Sequence, residues 1–205
     1  MRMAIAAGAL AALIAAVPAL AQDSPRGPGG FYAGPLAGVD ITESDGESES
    51  GIVYGATVGY DFSSGPAIFG VEAEMTDSSI EVDERDLLLA GDRLSVGAGL
   101  DFYLGARAGM RVGQGGLLYV KAGYTELDID VEYDDGVDSF SETEPVDGYR
   151  LGLGGEFPVG RRMAARIEYR YSNYSSGNFD ADDLDDAIGS DLERHQGVAT
   201  LLFRF

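Results

Sequence analysis

Acidic and basic residues recur at every second position of otherwise apolar runs, and this spacing is where chemistry in the chain would lie. Glu72 and Glu74 share one run, Arg107 and Arg111 a second, and Lys121 stands in a third. Glu156 stands in a fourth, Arg166, Glu168 and Arg170 in a fifth, and Arg204 in the last. Asp61, Asp101 and Arg150 have the same parity in their own segments. Residues two apart on an extended chain share a face. Each run therefore gathers its charges on one face and its apolar residues on the other. Acids and bases nearly balance in this set, and glycines such as Gly70, Gly105, Gly109, Gly123, Gly152 and Gly154 lie between them. The chemistry such a face supports is mutual ion pairing.

Other reactive groups are sparse. Cysteine is absent, which removes thiolate nucleophiles, thiolate metal ligands and disulfides. His195 is the single histidine. Acids lie near it, but no Ser is marked by a G-x-S-x-G motif. By parity it faces outward, toward lipid or headgroups. The glycine clusters around Gly105 and Gly152 lead into no helix, so they are not phosphate-cradling loops. The run Asp180-Ala181-Asp182-Asp183-Leu184-Asp185-Asp186 offers hard oxygen ligands for calcium or magnesium. It fails the EF-hand spacing: Leu184 occupies a ligand slot, Asp185 stands where Gly belongs, and Asp191 replaces the terminal Glu. No cofactor is expected, and no dedicated metal site.

The elements that position these residues read as strands. Of 205 residues 30 are Gly, with 11 Tyr, 9 Phe and no Trp, a composition suited to an all-β chain. Eight segments alternate. Their apolar faces run from Phe31 to Ile41, Ile52 to Phe62, Ala67 to Met75, Phe102 to Val112, Leu118 to Tyr124, Tyr149 to Phe157 and Met163 to Tyr171. The last alternates through Leu201 and Phe203 to Phe205. Tight turns at 63–66, 113–116 and 158–162 alternate with longer connections at 42–50, 76–93, 126–147 and 173–194. The parity of strand four extends upward through the region 87–100, which either raises that strand or packs the Leu87-Leu88-Leu89 cluster into a loop. Tyr32, Tyr54, Tyr60, Tyr124, Tyr149, Tyr169 and Tyr171 are expected near strand ends or on the outward face, as an interfacial girdle.

At the amino end, Arg2, the apolar run 4–17 and Ala19-Leu20-Ala21 form a signal peptide with an A-x-A cleavage site. The expected organisation is a signal peptide at 1–21, a short leader at 22–29 and one barrel domain at 30–205.

A soluble barrel would bury the apolar faces and hydrate the charges. Here the order of short and long connections fits a barrel in a bilayer, where an outward Arg or Lys at the midplane costs about 2–4 kcal/mol. Several such penalties exceed a typical domain stability, so the charges must point inward. A water-exposed sheet face is the alternative that periodicity alone leaves open.

Gly30-Phe31-Tyr32-Ala33-Gly34 and the hairpin Leu104-Gly105-Ala106-Arg107-Ala108-Gly109 to Leu118-Tyr119-Val120-Lys121-Ala122-Gly123-Tyr124 resemble two parts of a known family. So do Gly152-Leu153-Gly154-Gly155-Glu156-Phe157 with Arg166-Ile167-Glu168-Tyr169-Arg170-Tyr171, and the last strand. In this order they resemble the OmpA-like, opacity-type outer-membrane barrels. The resemblance implies an eight-stranded antiparallel up-and-down transmembrane β-barrel in the bacterial outer membrane. It also implies that Phe203 and Phe205 form a signal read by the outer-membrane assembly machinery.

The formal net charge of −21 is expected mostly in the long connections. Such a surface repels anions and nucleic acid. The expected function is non-enzymatic: a structural or surface barrel whose acidic loops contact lipopolysaccharide, divalent cations or host surfaces. A narrow pore and a barrel-embedded lipid-modifying enzyme are the alternatives.

Overall fold

Each alternating run becomes a strand. The computed structural model describes residues 29–44, 47–85, 93–113, 115–134, 139–175 and 192–205. The expected signal peptide and leader to residue 28, the Leu87–Leu89 cluster and the acidic run 180–186 lie outside the described residues. The strands are β1 (Gly30–Ser44), β2 (Glu47–Ser64), β3 (Ala67–Ser78), β4 (Glu81–Arg85) and β5 (Arg93–Val112), then β6 (Gly116–Asp134), β7 (Ser139–Pro158), β8 (Met163–Ser175) and β9 (Leu192–Arg204). Neighbours pair antiparallel in chain order, β9 pairs with β1, and β3 pairs with β5. Those two pairings close eight strands into a barrel. β4 stands outside the closure; among the described residues it pairs with the upper part of β5.

The tight turns are made by glycine where the chain must reverse. Gly65, Gly113 and Gly115 have φ of 61°, 55° and 98°, the left-handed region that a Cβ disfavours. The carboxyl end lies beside the start of β1, where the Phe205 amide donates to the Phe31 carbonyl at 2.9 Å. Both ends of the barrel strands therefore share the short-turn end.

At the opposite end the strands run further than alternation in the sequence suggests. Residues 42–50 and 126–147, read as loops, are mostly ladder: Ser44 pairs with Glu47, and β6 and β7 pair from Leu117–Glu156 to Asp134–Ser139. A strand needs only about 9–11 residues to cross a bilayer, whereas β5 and β7 have 20 each. The surplus rises beyond the barrel rim, where the ladder still satisfies every backbone group it pairs. β5 begins at Arg93, so the raised-strand reading of 87–100 holds for its described part, while 87–92 lie outside the described residues. A register shift between Ala98 and Asp101 places Ala98 opposite Ile129 and Val96 opposite Val131. A bulge adds a residue to one strand and turns the residues beyond it to the other face.

Burial follows the inside-out polarity. Ile167 is 65 % exposed, Val120 61 % and Leu104 55 %, whereas Arg150 and Arg170 are wholly buried. The apolar interior is limited to small patches. Tyr32, Ala164 and Leu202 form one near the short-turn end, Ile68, Leu117 and Tyr119 a second, and Leu36, Val53 and Val198 a third higher up. Tyr32 thus departs from the outward girdle expected of it. Its even position gives it the parity of the charged face, and its ring packs inside.

This polarity has a direct test. Ile167→Arg, on the outer face, is expected to lower barrel stability by about 2–4 kcal/mol in urea titrations of vesicle-inserted protein. A loss below 0.5 kcal/mol, the scale of a surface change, would place that face in water.

Candidate functional site: the ion-paired lumen and the acidic rim

The eight strands deliver seven buried carboxylates and seven bases to one interior. The acids are Asp40, Asp61, Glu72, Glu74, Asp101, Glu156 and Glu168; the bases are Arg107, Lys121, Arg150, Arg166, Arg170, Arg194 and the slightly exposed Arg204. The set is neutral, so the whole formal net charge of −21 lies outside it.

The lowest tier is built on arginine forks. Arg107 donates from Nε and Nη2 to the two Asp61 oxygens at 2.8 and 2.5 Å, and from Nη1 to Glu156 Oε1 at 2.6 Å. Arg166 donates to the same Glu156 oxygen at 2.9 Å and to Glu72 Oε2 at 2.6 Å. Arg204 joins Asp61 at 3.0 Å and also Glu156. A planar guanidinium meets two oxygens at once, which makes these charge-assisted pairs directional. The Arg107 and Arg166 guanidiniums also lie over the Tyr32 ring, 4.5 and 5.2 Å from its centroid.

The middle tier turns on one ammonium. Lys121 Nζ lies 3.0 Å from Glu72, 2.8 Å from Glu74 and 2.8 Å from Glu168, three donors for three acceptors. Arg170 closes the circuit to Glu74 at 2.7 Å and Glu168 at 2.5 Å. Small neighbours make the space. A Cβ on Gly152 would fall 2.9 Å from Lys121 Cγ, and one on Gly59 would fall 2.3 Å from the Tyr32 hydroxyl.

The upper tier joins the ends of the chain. Asp101 accepts from Arg150 at 2.5 Å, Arg194 at 3.0 Å, Thr125 at 2.8 Å and Tyr174 at 3.1 Å. Asp40 accepts from Arg194 Nε at 2.9 Å and from Ser78 at 2.7 Å. Arg150 Nη1 and Glu74 Oε2, 3.6 Å apart, link this tier to the one below.

Twelve of the thirteen charges read onto the inward face meet here: Asp61, Glu72, Glu74, Asp101, Arg107, Lys121, Arg150, Glu156, Arg166, Glu168, Arg170 and Arg204. Arg111 does not join them. It is exposed at the short-turn mouth, donating to Ser63 Oγ at 2.9 Å. Asp40 and Arg194 join the lumen as well, although Arg194 falls within the expected connection 173–194. Their even positions on β1 and β9 carried the signal. Phe203 and Phe205, the expected assembly signal, are 41 % and 36 % exposed at the short-turn rim.

At the opposite rim His195 lies on the outer face. Its Nδ1 is 2.7 Å from the Tyr169 hydroxyl, and its ring is 5.2 Å from that of Tyr171. Its Nε2 lies 4.0 Å from Glu193. The imidazole is thus held between two phenols and a carboxylate. Tyr54 donates to Asp77 at 3.2 Å, and Tyr124 donates to Glu126 at 3.1 Å and to Asp147. Above the rim, Glu126, Asp128, Asp130 and Glu132 occupy alternate positions of β6, opposite Asp147, Pro145, Thr143 and Ser141. Among the described residues, no three His, Cys, Asp or Glu side chains are gathered as a metal-binding group.

Carboxylates ranked this closely should repel. Partial burial, then Glu126 and Asp130, hold the Asp128 carboxyl above its ordinary range. A carboxyl raised by folding opposes the folded hairpin where it is ionised, and that opposition fades as pH falls through its folded value. Hydrogen exchange at β6 and β7 above the rim is expected to slow from pH 7 to pH 4.5, after correction for intrinsic rates. Faster corrected exchange at the lower pH would contradict it.

The lumen is open to a sharper test. Lys121→Met leaves three buried carboxylates short of a partner and is expected to cost about 3–5 kcal/mol, read from the urea midpoint of the gel-shifted folded form. Arg111→Ala should stay within about 0.5 kcal/mol of wild type. Equal small losses from both would mean that the lumen charges are hydrated and weakly coupled.

Residues 7–205 match the family model for the outer membrane protein beta-barrel domain. A 22 kDa outer membrane protein of Rhizobium leguminosarum bv. viciae is 31 % identical over 173 residues, spanning 79 % of this chain and 74 % of the relative. Among solved structures, Neisserial surface protein A superposes with a TM-score of 0.55 at 14 % identity, over 85 % of this chain and 97 % of that one. The attachment invasion locus protein Ail of Yersinia pestis, in complex with the heparin analogue sucrose octasulfate, gives 0.55 at 13 % identity, over 86 % and 99 %. At such identities the likeness is one of fold.

Proposed function

Because this chain belongs to the outer membrane protein beta-barrel domain family and resides in the bacterial outer membrane, we propose that it is a non-catalytic surface barrel. Its ion-packed lumen anchors acidic hairpins at the cell exterior. Those hairpins engage anionic lipopolysaccharide through bridging divalent cations. The observation that carries this reading is the division of charge: a neutral, closed set of pairs inside, and carboxylate rows on the hairpins above the rim.

Two carboxylate-rich or phosphate-rich surfaces repel unless a cation lies between them, and hard divalent ions suit oxygen donors. The same charge argues against direct capture of a sulfated polyanion such as the one bound to Ail. The pore reading is weaker. Eight strands enclose a space that side chains fill, and water-filled channels of this architecture have about 16 or more strands. Here that space holds three tiers of ion pairs. The enzymatic reading rests on His195 alone, which has Tyr169, Tyr171 and Glu193 as neighbours. Phe203 and Phe205 are proposed to guide assembly, since both present aromatic surface at the open end of the last strand.

Binding of the reconstituted barrel to purified lipopolysaccharide is expected to rise at least tenfold between chelator and millimolar calcium. Calcium-independent binding would sink the bridging step. Planar-bilayer recordings should show no large, steady conductance; such conductance would favour the pore.

A further inference from the structure

Exposed charge is segregated along this barrel, and the short-turn end, which faces the periplasm in outer-membrane barrels, is basic among the described residues. At that end the exposed charged side chains among the described residues are Arg111, Arg161 and Arg162. The acidic side chains of the lowest lumen tier, Asp61 and Glu156, are buried and committed to Arg107, Arg166 and Arg204. The outer end has the reverse character, with Glu49, Glu126, Asp130, Glu132 and Glu144 exposed.

Arg161 and Arg162 sit at the tip of the β7–β8 turn. The turn is held in place by the amides of Val159 and Gly160, which donate to the Met163 carbonyl at 3.0 and 3.2 Å. The Arg162 carbonyl accepts from the Arg204 amide at 2.8 Å, tying the tip to the last strand. Immediately before it, Phe157 and Val159 are 52 % and 59 % exposed on the apolar belt. Two guanidiniums therefore project from the edge of a surface that is immersed in acyl chains. That is the depth at which a phospholipid phosphate lies, and basic residues at a bilayer surface attract anionic headgroups.

We propose that the Arg161–Arg162 turn is a docking surface for anionic phospholipid of the periplasmic leaflet. Phe157 and Val159 take the acyl region, and the two guanidiniums take the headgroup phosphate. The barrel then selects opposite electrostatic partners on its two sides: cations at the outer hairpins and anionic lipid at the inner turn.

The test uses the full barrel in nanodiscs of phosphatidylcholine with a minor share of phosphatidylglycerol, with bound lipid counted by native mass spectrometry. Wild type should retain phosphatidylglycerol preferentially. The R161Q/R162Q double variant should lose about 30-fold of that preference, which is roughly 1 kcal/mol for each base removed. R93Q, at the outer end, should lose none of it. Gel mobility of the unheated protein reports whether the variant has folded. If it has not, wild type in 0.5 M salt gives the same readout, because screening should abolish the preference. Equal retention of the two lipids by wild type, or an unchanged preference in the folded double variant, overturns the proposal. Displacement of the lipid by millimolar inorganic phosphate also overturns it, since the turn would then be a soluble-anion site.

Discussion

A bilayer offers no hydrogen bonds and almost no solvation for charge, so every polar group crossing it must be answered from within the protein. The backbone is answered by the closed ladder, in which β9 returns to β1 and β3 meets β5 past the excluded β4. The side chains are answered by neutrality. Seven carboxylates and seven bases share the interior, and no tier depends on a single pair. Closure and neutrality are the same constraint applied to main chain and side chain.

Ion pairs of this kind are not an obvious source of stability. Desolvating two charges often costs as much as their attraction returns, and an apolar core can do as well. What they supply is direction. Arg107 fixes Asp61 with two parallel donors, and Lys121 lies between three carboxylates at nearly equal distances. A strand slipped by one residue would put its charges in lipid and its apolar residues in the lumen. The network therefore penalises wrong registers more than it stabilises the right one. The glycines serve the same end, since Gly59 and Gly152 leave room for the Tyr32 ring and the Lys121 stem.

With the interior neutral, surface charge is free to vary along the barrel axis. The outer hairpins accumulate acid because water and counterions there bear the cost of repulsion. They remain strands above the rim because ladder bonds are local and do not depend on lipid. Their carboxylates hold a row at fixed spacing rather than a diffuse cloud, and this gives the surface a geometry that a disordered acidic loop would lack.

Alternation by itself determined which face each barrel strand turns to lipid, because a period of two leaves only two choices and one charged residue is enough to decide between them. The eight strands of the barrel and the lumen position of Glu72, Glu168 and Arg170 were legible in this way. Tyr32, Asp40 and Arg194 had the right parity too, but aromatic character and nearness to acidic stretches pointed elsewhere. Only the tertiary structure decided which charges meet. Arg194 and Asp40 are separated by 154 positions in sequence, and nothing local to either residue names the other. It also decided where alternation is interrupted. The bulge between Ala98 and Asp101 and the added strand β4 arise from pairing with β6 and β5 beyond the rim. There the bilayer no longer enforces a face, so the sequence has no reason to keep its rhythm.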